Sequence, residues 1–214
     1  PTVYNYIHIG NARPLVFFDT LRRYFEYKNY EVAFVMNITD IDDKIINRAI
    51  EENVDFREIT KKYSKAFLDN AKSLNVDVDK IIKSKATDYI DKMITYIKEL
   101  EDKDAAYDTD TTVYFNIDSA KDYGKLSKKN IDDLKAGSRV EIDKSKRNPL
   151  DFALWKKQKN ENEPAWDSPW GKGRPGWHIE CSTMANNILG DTIDIHGGGE
   201  DLQFPHHENE IAQS

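Results

Sequence analysis

Val32-Ala33-Phe34-Val35-Met36-Asn37-Ile38, followed at once by Thr39-Asp40-Ile41-Asp42-Asp43-Lys44-Ile45-Ile46, is the stretch that decides the fold class. The first seven residues form a compact β-prone run. Thr39 and Asp40 are N-cap residue types, and Ile41, Ile45, Ile46 and Ile50 then recur at helical spacing. Upstream, Leu15, Phe18, Leu21 and Phe25 keep the same period from Asn11 to Lys28, with Pro14 suited to a first helical turn. The order is therefore helix, strand, helix. Downstream, Asp55 and Glu58 read as a capping box ahead of Ile59, Tyr63, Ala66 and Leu74, and Thr87 opens a helix through Ile90, Met93, Ile94, Ile97 and Leu100. Near the other end, Trp177 to Leu189 has helical periodicity with a stop at Gly190. Thr192 to His196 reads as a short strand, Gly197-Gly198-Gly199 as a tight loop, and Pro205 as the start of a last helix. Strands alternate with helices at both ends, which predicts an α/β fold. Between them Ala105 to Asp118 alternates around Asp108-Thr109-Asp110, and Val113 to Ile117 reads as one strand of a β-hairpin, so a β-containing insertion interrupts the alternation. The Lys-rich stretch from Lys121 to Lys159, and the Trp, Pro and Gly-rich stretch from Asn160 to Pro175, read as exposed connections.

The 214 residues suffice for one large domain carrying an insertion. Hydrophobic residues make up 39% and charged ones 32%, and mean hydropathy is -0.74. The longest apolar runs, Val32 to Met36 and Leu15 to Phe18, fall far short of a bilayer crossing, so no membrane partner is expected. With 31 basic against 38 acidic residues the net charge is -7, which excludes a wholly basic nucleic-acid binder and leaves any polyanion to local patches. Lys121, Lys125, Lys128, Lys129 and Arg139 are candidates for such a patch, although solvated surface residues are the favoured reading, exposed lysine being common. The lone cysteine, Cys181, has no disulfide partner in the chain, and no charged-then-apolar leader precedes Tyr4, so a reducing cytoplasm is the expected compartment. The chain opens on Pro1 without a methionine and stops at Ser214 inside a predicted helix, which reads as a fragment of something longer.

Three features carry chemistry. His206 and Glu210 stand one helical turn apart on one face, with Cys181 on the preceding helix; an imidazole, a carboxylate and a thiolate are zinc ligand types. Spacing alone leaves a second reading open, in which Cys181 is a small buried hydrophobe and the other two are solvated. The second feature is His8-Ile9-Gly10-Asn11, where a helix N-terminus and imidazole donors suit phosphates, or where His8 simply packs at an element end. The third is the Gly197-Gly198-Gly199 loop, placed where open α/β sheets bind ligands but without a full dinucleotide fingerprint.

Taken together, these segments closely resemble the class I cysteinyl-tRNA synthetases. Pro1-Thr2-Val3-Tyr4, His8-Ile9-Gly10-Asn11 and Asn37-Ile38-Thr39-Asp40-Ile41-Asp42-Asp43-Lys44 match the start of that family. Gly173-Arg174-Pro175-Gly176-Trp177-His178-Ile179-Glu180-Cys181-Ser182 and His196-Gly197-Gly198-Gly199-Glu200-Asp201-Leu202, continuing through Phe204-Pro205-His206-His207-Glu208-Asn209-Glu210, match its second half. The resemblance spans the chain in order. The family's first signature is more often quoted with histidine where Asn11 stands.

The resemblance implies a Rossmann-like catalytic domain, residues 1-102 and 173-214, split by a connective insertion at 103-172. It implies cysteine activation with ATP and Mg2+ and transfer of the cysteinyl group to tRNA(Cys), with zinc selecting the substrate thiolate. By the same resemblance His8 and Asn11 are catalytic and hold ATP phosphates, Gly10 leaves room for adenine, and Gly197, Gly198 and Gly199 belong to the ATP site. Thr39, Trp177 and Asp201 bind the amino acid, and Cys181, His206 and Glu210 hold zinc. A further zinc-ligating cysteine is expected two residues before Pro1, and a lysine-rich loop and an anticodon-binding helical domain after Ser214. Two other readings share the fold: the cysteine-adenylating ligase of mycothiol synthesis, and a non-catalytic zinc-binding paralogue.

Overall fold

The computed structural model describes residues 1-129, 145-161 and 163-214, which divide into two compact units: Pro1–Asp88 with Met184–Ile195, and Tyr89–Thr183 with His196–Ser214. This division by compactness follows other boundaries than the functional division expected from the resemblance. Arg139 lies outside the described residues.

The first unit runs α1 (Ile9–Tyr27), β1 (Phe34–Ile38), α2 (Asp43–Glu52), α3 (Phe56–Ser73) and β2 (Ile81–Lys85). β1 and β2 are parallel, Phe34 opposite Ile81 and Ile38 opposite Lys85. Thr2 adds a parallel bridge to Thr39, with the Thr39 N–H donating to the Pro1 carbonyl at 2.9 Å. Parallel neighbours need crossovers, which α1 supplies between the Thr2 bridge and β1, and α2 with α3 between β1 and β2. Val3, Ile38, Ile45, Ala49, Ile59 and Tyr63 form one core cluster; Leu15, Phe67, Ala71, Val76, Val78 and Ile81 form another. The α/β expectation holds. The helix starts are more specific than the sequence reading. α2 begins later than expected, at Asp43, capped by Asp42, whose carboxylate accepts from the Lys44 N–H at 2.9 Å. Thr39 and Asp40 do not cap it. The Thr39 backbone extends the β1 ladder, and the buried Asp40 carboxylate accepts both the Thr87 N–H at 2.9 Å and the Thr87 hydroxyl at 2.6 Å. Thr87 is thereby spent inside a 3-10 turn and opens no helix. Asp55 does cap α3, through the Arg57 N–H at 2.7 Å.

The second unit holds α4 (Ile90–Asp102), an antiparallel sheet ordered β3 (Ala106–Asp108), β4 (Thr112–Phe115), β5 (Phe152–Lys157), β6 (Gly173–Pro175), and α6 (Glu208–Gln213). Helix α5 (Trp177–Leu189) contributes its residues through Thr183 to this unit. The β3–β4 hairpin matches the hairpin expected there, with the Thr109 hydroxyl donating to the Thr112 carbonyl at 2.7 Å across the turn. Two stretches read as exposed connections are strands instead. β5 lies inside the Lys-rich stretch and buries Leu154 and Trp155 completely, and β6 closes the Gly-rich one. Beside β5 the chain must lack a side chain: a Cβ on Gly176 would stand 1.9 Å from the Ala153 carbonyl oxygen.

Two expectations near the end are corrected. Thr192 to His196 is irregular, with Ile193 and Ile195 36% and 54% exposed, because β propensity makes a strand only where a neighbour completes the ladder. Pro205 does not start the last helix. Phe204 is extended, with φ -135° and ψ 130°, and regular α-helix begins at Glu208.

Candidate metal centre and phosphate-facing turn

Cys181 on α5, His206 in the irregular turn and Glu210 on α6 converge within the second unit, their ligand atoms within 4.8 Å of one another. All three side chains are buried. His206 Nε2 and Glu210 Oε1 stand 3.3 Å apart, yet Oε1 has no hydrogen bond although it is cut off from solvent. An orphaned buried carboxylate oxygen is costly unless a cation completes it. Two ligands about 2.0 to 2.1 Å from one tetrahedral zinc stand about 3.3 Å apart, so this separation fits a shared ion. Thiolate, imidazole and carboxylate complete the chemical fit.

The surroundings preset these donors. His206 Nδ1 and His178 Nδ1 are 2.9 Å apart and share one hydrogen bond. Binding of a metal would place the proton on His206 Nδ1 and turn the Nε2 lone pair to the shared ion. Burial, then the neighbouring His206, lowers the His178 pKa to about 3, so His178 enters this pair neutral. His196 Nε2 donates to Glu210 Oε2 at 2.7 Å, leaving Oε1 for the metal side. Burial would raise the Glu210 pKa, but its contacts with His196 and His206 outweigh this and hold it well below the usual carboxylate range. Burial, then the Glu210 and Glu180 carboxylates, push the Cys181 thiol well above its ordinary value. A divalent cation among these groups reverses that preference and favours the thiolate. Trp177 stacks on the His206 ring at 4.1 Å while remaining 38% exposed, which fits an indole walling the site.

His196, His207 and Glu210 form a second close group. Its Glu210 oxygen is already hydrogen-bonded to His196, so the group reads as support for the first. The glycine loop packs closely on one of these histidines and on Asp201: a Cβ on Gly198 would stand 2.9 Å from the His207 ring, and one on Gly199 2.4 Å from the Asp201 carboxylate. Asp201 itself is exposed. Sequence reasoning does not single out His178 and His196 as site residues. The available signal is their place inside the two histidine-bearing motifs of the second half.

In the first unit His8 caps the 19-residue α1. Its Nδ1 accepts from the Gly10 N–H at 3.1 Å, and Asn11 Oδ1 accepts from the His8 N–H at 3.2 Å. With Nδ1 accepting, the ring proton sits on Nε2, and Asn11 keeps its Nδ2 donors. The Gly10 and Asn11 amides are engaged within the turn, so the outward donors of His8 and Asn11 are side-chain groups rather than those amides. A Cβ on Gly10 would stand 2.8 Å from the His8 imidazole, so any side chain there would push the ring off its cap position. Thr39 is 1% exposed, its hydroxyl accepting from Asn37 Nδ2 at 3.4 Å.

The chain is 72% identical over 214 residues to a cysteine–tRNA ligase of Finegoldia magna, covering 100% of this chain and 46% of that protein. It is 58% identical over 215 residues to a cysteine–tRNA ligase of Fusobacterium nucleatum subsp. nucleatum, covering 100% of this chain and 45% of that one. It thus spans about half the length of these relatives. A solved structure described as an arginyl-tRNA synthetase of Campylobacter jejuni shares the fold, with a TM-score of 0.54 at 13% identity over 100% of this chain and 49% of that one. Among the described residues no helix is long and apolar enough to cross a membrane. The family model described as tRNA synthetases class I (C) catalytic domain matches residues 1–214, and the chain belongs to that family.

Proposed function

We propose that this chain is the catalytic portion of a cysteine–tRNA ligase, joining cysteine to ATP as cysteinyl adenylate with release of pyrophosphate, then passing the cysteinyl group to tRNA(Cys). The observation that carries the reading is the buried Glu210 Oε1, without a hydrogen bond and 3.3 Å from His206 Nε2, beside Cys181. Cys181, His206 and Glu210 would hold zinc, which when bound would supply a Lewis acid preferring a thiolate to an alcohol and so distinguish cysteine from serine where size alone gives only about 100-fold. His178 and His196 hold the two ligand side chains in place, and Trp177 walls the site. His8 Nε2–H and Asn11 Nδ2 donate to ATP phosphate oxygens. Gly10 keeps the His8 ring folded on the helix start, Gly197, Gly198 and Gly199 are assigned to the nucleotide, and Mg2+ neutralises the triphosphate. Thr39 and Asp201 are assigned to the carboxylate and amine of cysteine. The attacking group is already a carboxylate, so the reaction needs positioning and charge neutralisation rather than a general base.

The functional division at 1-102, 103-172 and 173-214, and a cytoplasmic setting, belong to the same proposal. The test is cysteine-dependent ATP–pyrophosphate exchange by the full-length protein, with serine as competitor, followed by charging of tRNA(Cys). Both activities are expected. Exchange without charging would move the reading to the cysteine ligase of mycothiol synthesis, and neither activity would leave a non-catalytic paralogue.

A further inference from the structure

We propose that Glu208 is a positioning residue that latches the Lys121–Lys129 turn of the insertion onto the metal-bearing segment, so that the turn's place depends on metal occupancy. This rests on the metal reading above. Glu208 lies between His206 and Glu210 but its carboxylate points to a different task. It is 2% exposed, with Oε1 accepting from the Gly124 N–H at 2.9 Å and the Leu126 N–H at 3.3 Å, and Oε2 accepting from the Ser127 N–H at 2.8 Å.

Three backbone amides around one buried carboxylate form an anion nest filled from within the chain. Four further contacts join the same two segments. The Tyr123 hydroxyl donates to Asn209 Oδ1, Gln203 Nε2 donates to the Leu126 carbonyl at 3.2 Å, Tyr123 meets Phe204 edge-on, and Lys129 Nζ stands 4.6 Å over the Phe204 ring. Every contact from the 203-209 side comes from a residue within three positions of His206 or Glu210. Those two ligands set the path of that segment when they share an ion, and without one the orphaned Glu210 oxygen favours rearrangement. A shift there withdraws the Glu208 carboxylate from the amides that fix the turn.

The experiment is limited trypsin digestion of the full-length protein, with cleavage after Lys121, Lys125, Lys128 and Lys129 quantified by mass spectrometry and zinc content measured in parallel. Glu208→Gln keeps the volume but sets an amide donor against backbone donors. It is expected to retain zinc and to raise cleavage in the turn on the order of tenfold, with cleavage after Lys61 and Lys72 in α3 unchanged. Chelating zinc from the unaltered protein is expected to raise the same cleavages. Tyr123→Phe, which leaves the metal-bearing segment intact, is expected to raise them less, and it serves if Glu208→Gln does not fold. Unchanged turn cleavage in both variants with zinc retained overturns the latch and leaves the metal reading standing. Increased cleavage in the variants without any effect of chelation overturns the coupling. A protein purified without zinc, whose turn is insensitive to added zinc, overturns the metal reading and the coupling together.

Discussion

Glu210 divides its two oxygens between two neighbours, and that division is the observation on which the proposed metal site rests. Oε2 is committed to His196, and Oε1 is left facing His206 Nε2. Because His178 fixes the other nitrogen of His206, replacing it should weaken the metal without removing a ligand. His178→Phe, which keeps a ring against Phe152, is expected to lower zinc affinity about 10- to 100-fold, read by competition with a chromogenic chelator. Unchanged affinity would show that packing alone orients His206. At the other signature, His8→Asn retains a good helix cap but removes the imidazole Nε2–H. Its exchange turnover is expected to fall about 100-fold with little change in the KM for cysteine, since the donor acts where phosphate charge develops. A defect confined to cysteine binding would remove His8 from that role. The three proposed metal ligands are legible in the sequence only through the family resemblance, since the helical spacing of His206 and Glu210 and the single cysteine leave a buried-hydrophobe reading open. His178 and His196 are not, since their roles arise from ring nitrogens meeting residues 28 and 14 positions away.

At the scale of elements, the helices are legible because their apolar periods and caps are local, and the errors fall where a polar residue has a distant use. Asp40 looks like a cap for α2 but serves Thr87, 47 positions on, while Asp42 caps the helix. The two aspartates should therefore differ in cost. Asp42→Ala is expected to destabilise by about 1 kcal/mol, the usual worth of an N-cap. Asp40→Ala removes the partner of the partly buried Thr87 N–H and hydroxyl, two hydrogen bonds at about 1 kcal/mol each, so its urea midpoint should fall further. Equal midpoints would mean that the Thr87 groups find water. β5 escapes the sequence reading for a different reason. Phe152-Ala153-Leu154-Trp155 is a short apolar run whose lysine neighbours resemble a surface connection, and only its pairing with β4 and β6 makes it a central strand. No local period separates such a run from a loop.

For the whole molecule, charge sets what can be held at a distance. At -7 the chain repels a polyanion, and screening at about 0.15 M salt confines any attraction to within about 8 Å of a charge, so a scattered excess of lysines cannot gather RNA. Binding of RNA must come from contacts made residue by residue, each releasing counterions from one phosphate. The described turn offers few candidates, and Lys125 already stands 3.7 Å from Asp122. Residues 1 to 214 are therefore expected to bind an arbitrary RNA duplex more weakly than about 10⁻⁴ M at physiological salt, the weak end of the range for non-specific nucleic-acid binders. In the full-length protein, Lys121→Glu with Lys125→Glu is expected to raise the KM for tRNA and to reduce its log–log salt slope by about two, near 0.9 for each phosphate no longer neutralised. ATP–pyrophosphate exchange is expected to stay unchanged, because neither lysine belongs to the metal centre or the His8 turn. Micromolar affinity of residues 1 to 214 for any duplex would mean that a concentrated patch overrides the net charge. An unaltered salt slope in the double variant would place the phosphate-binding groups elsewhere in the protein.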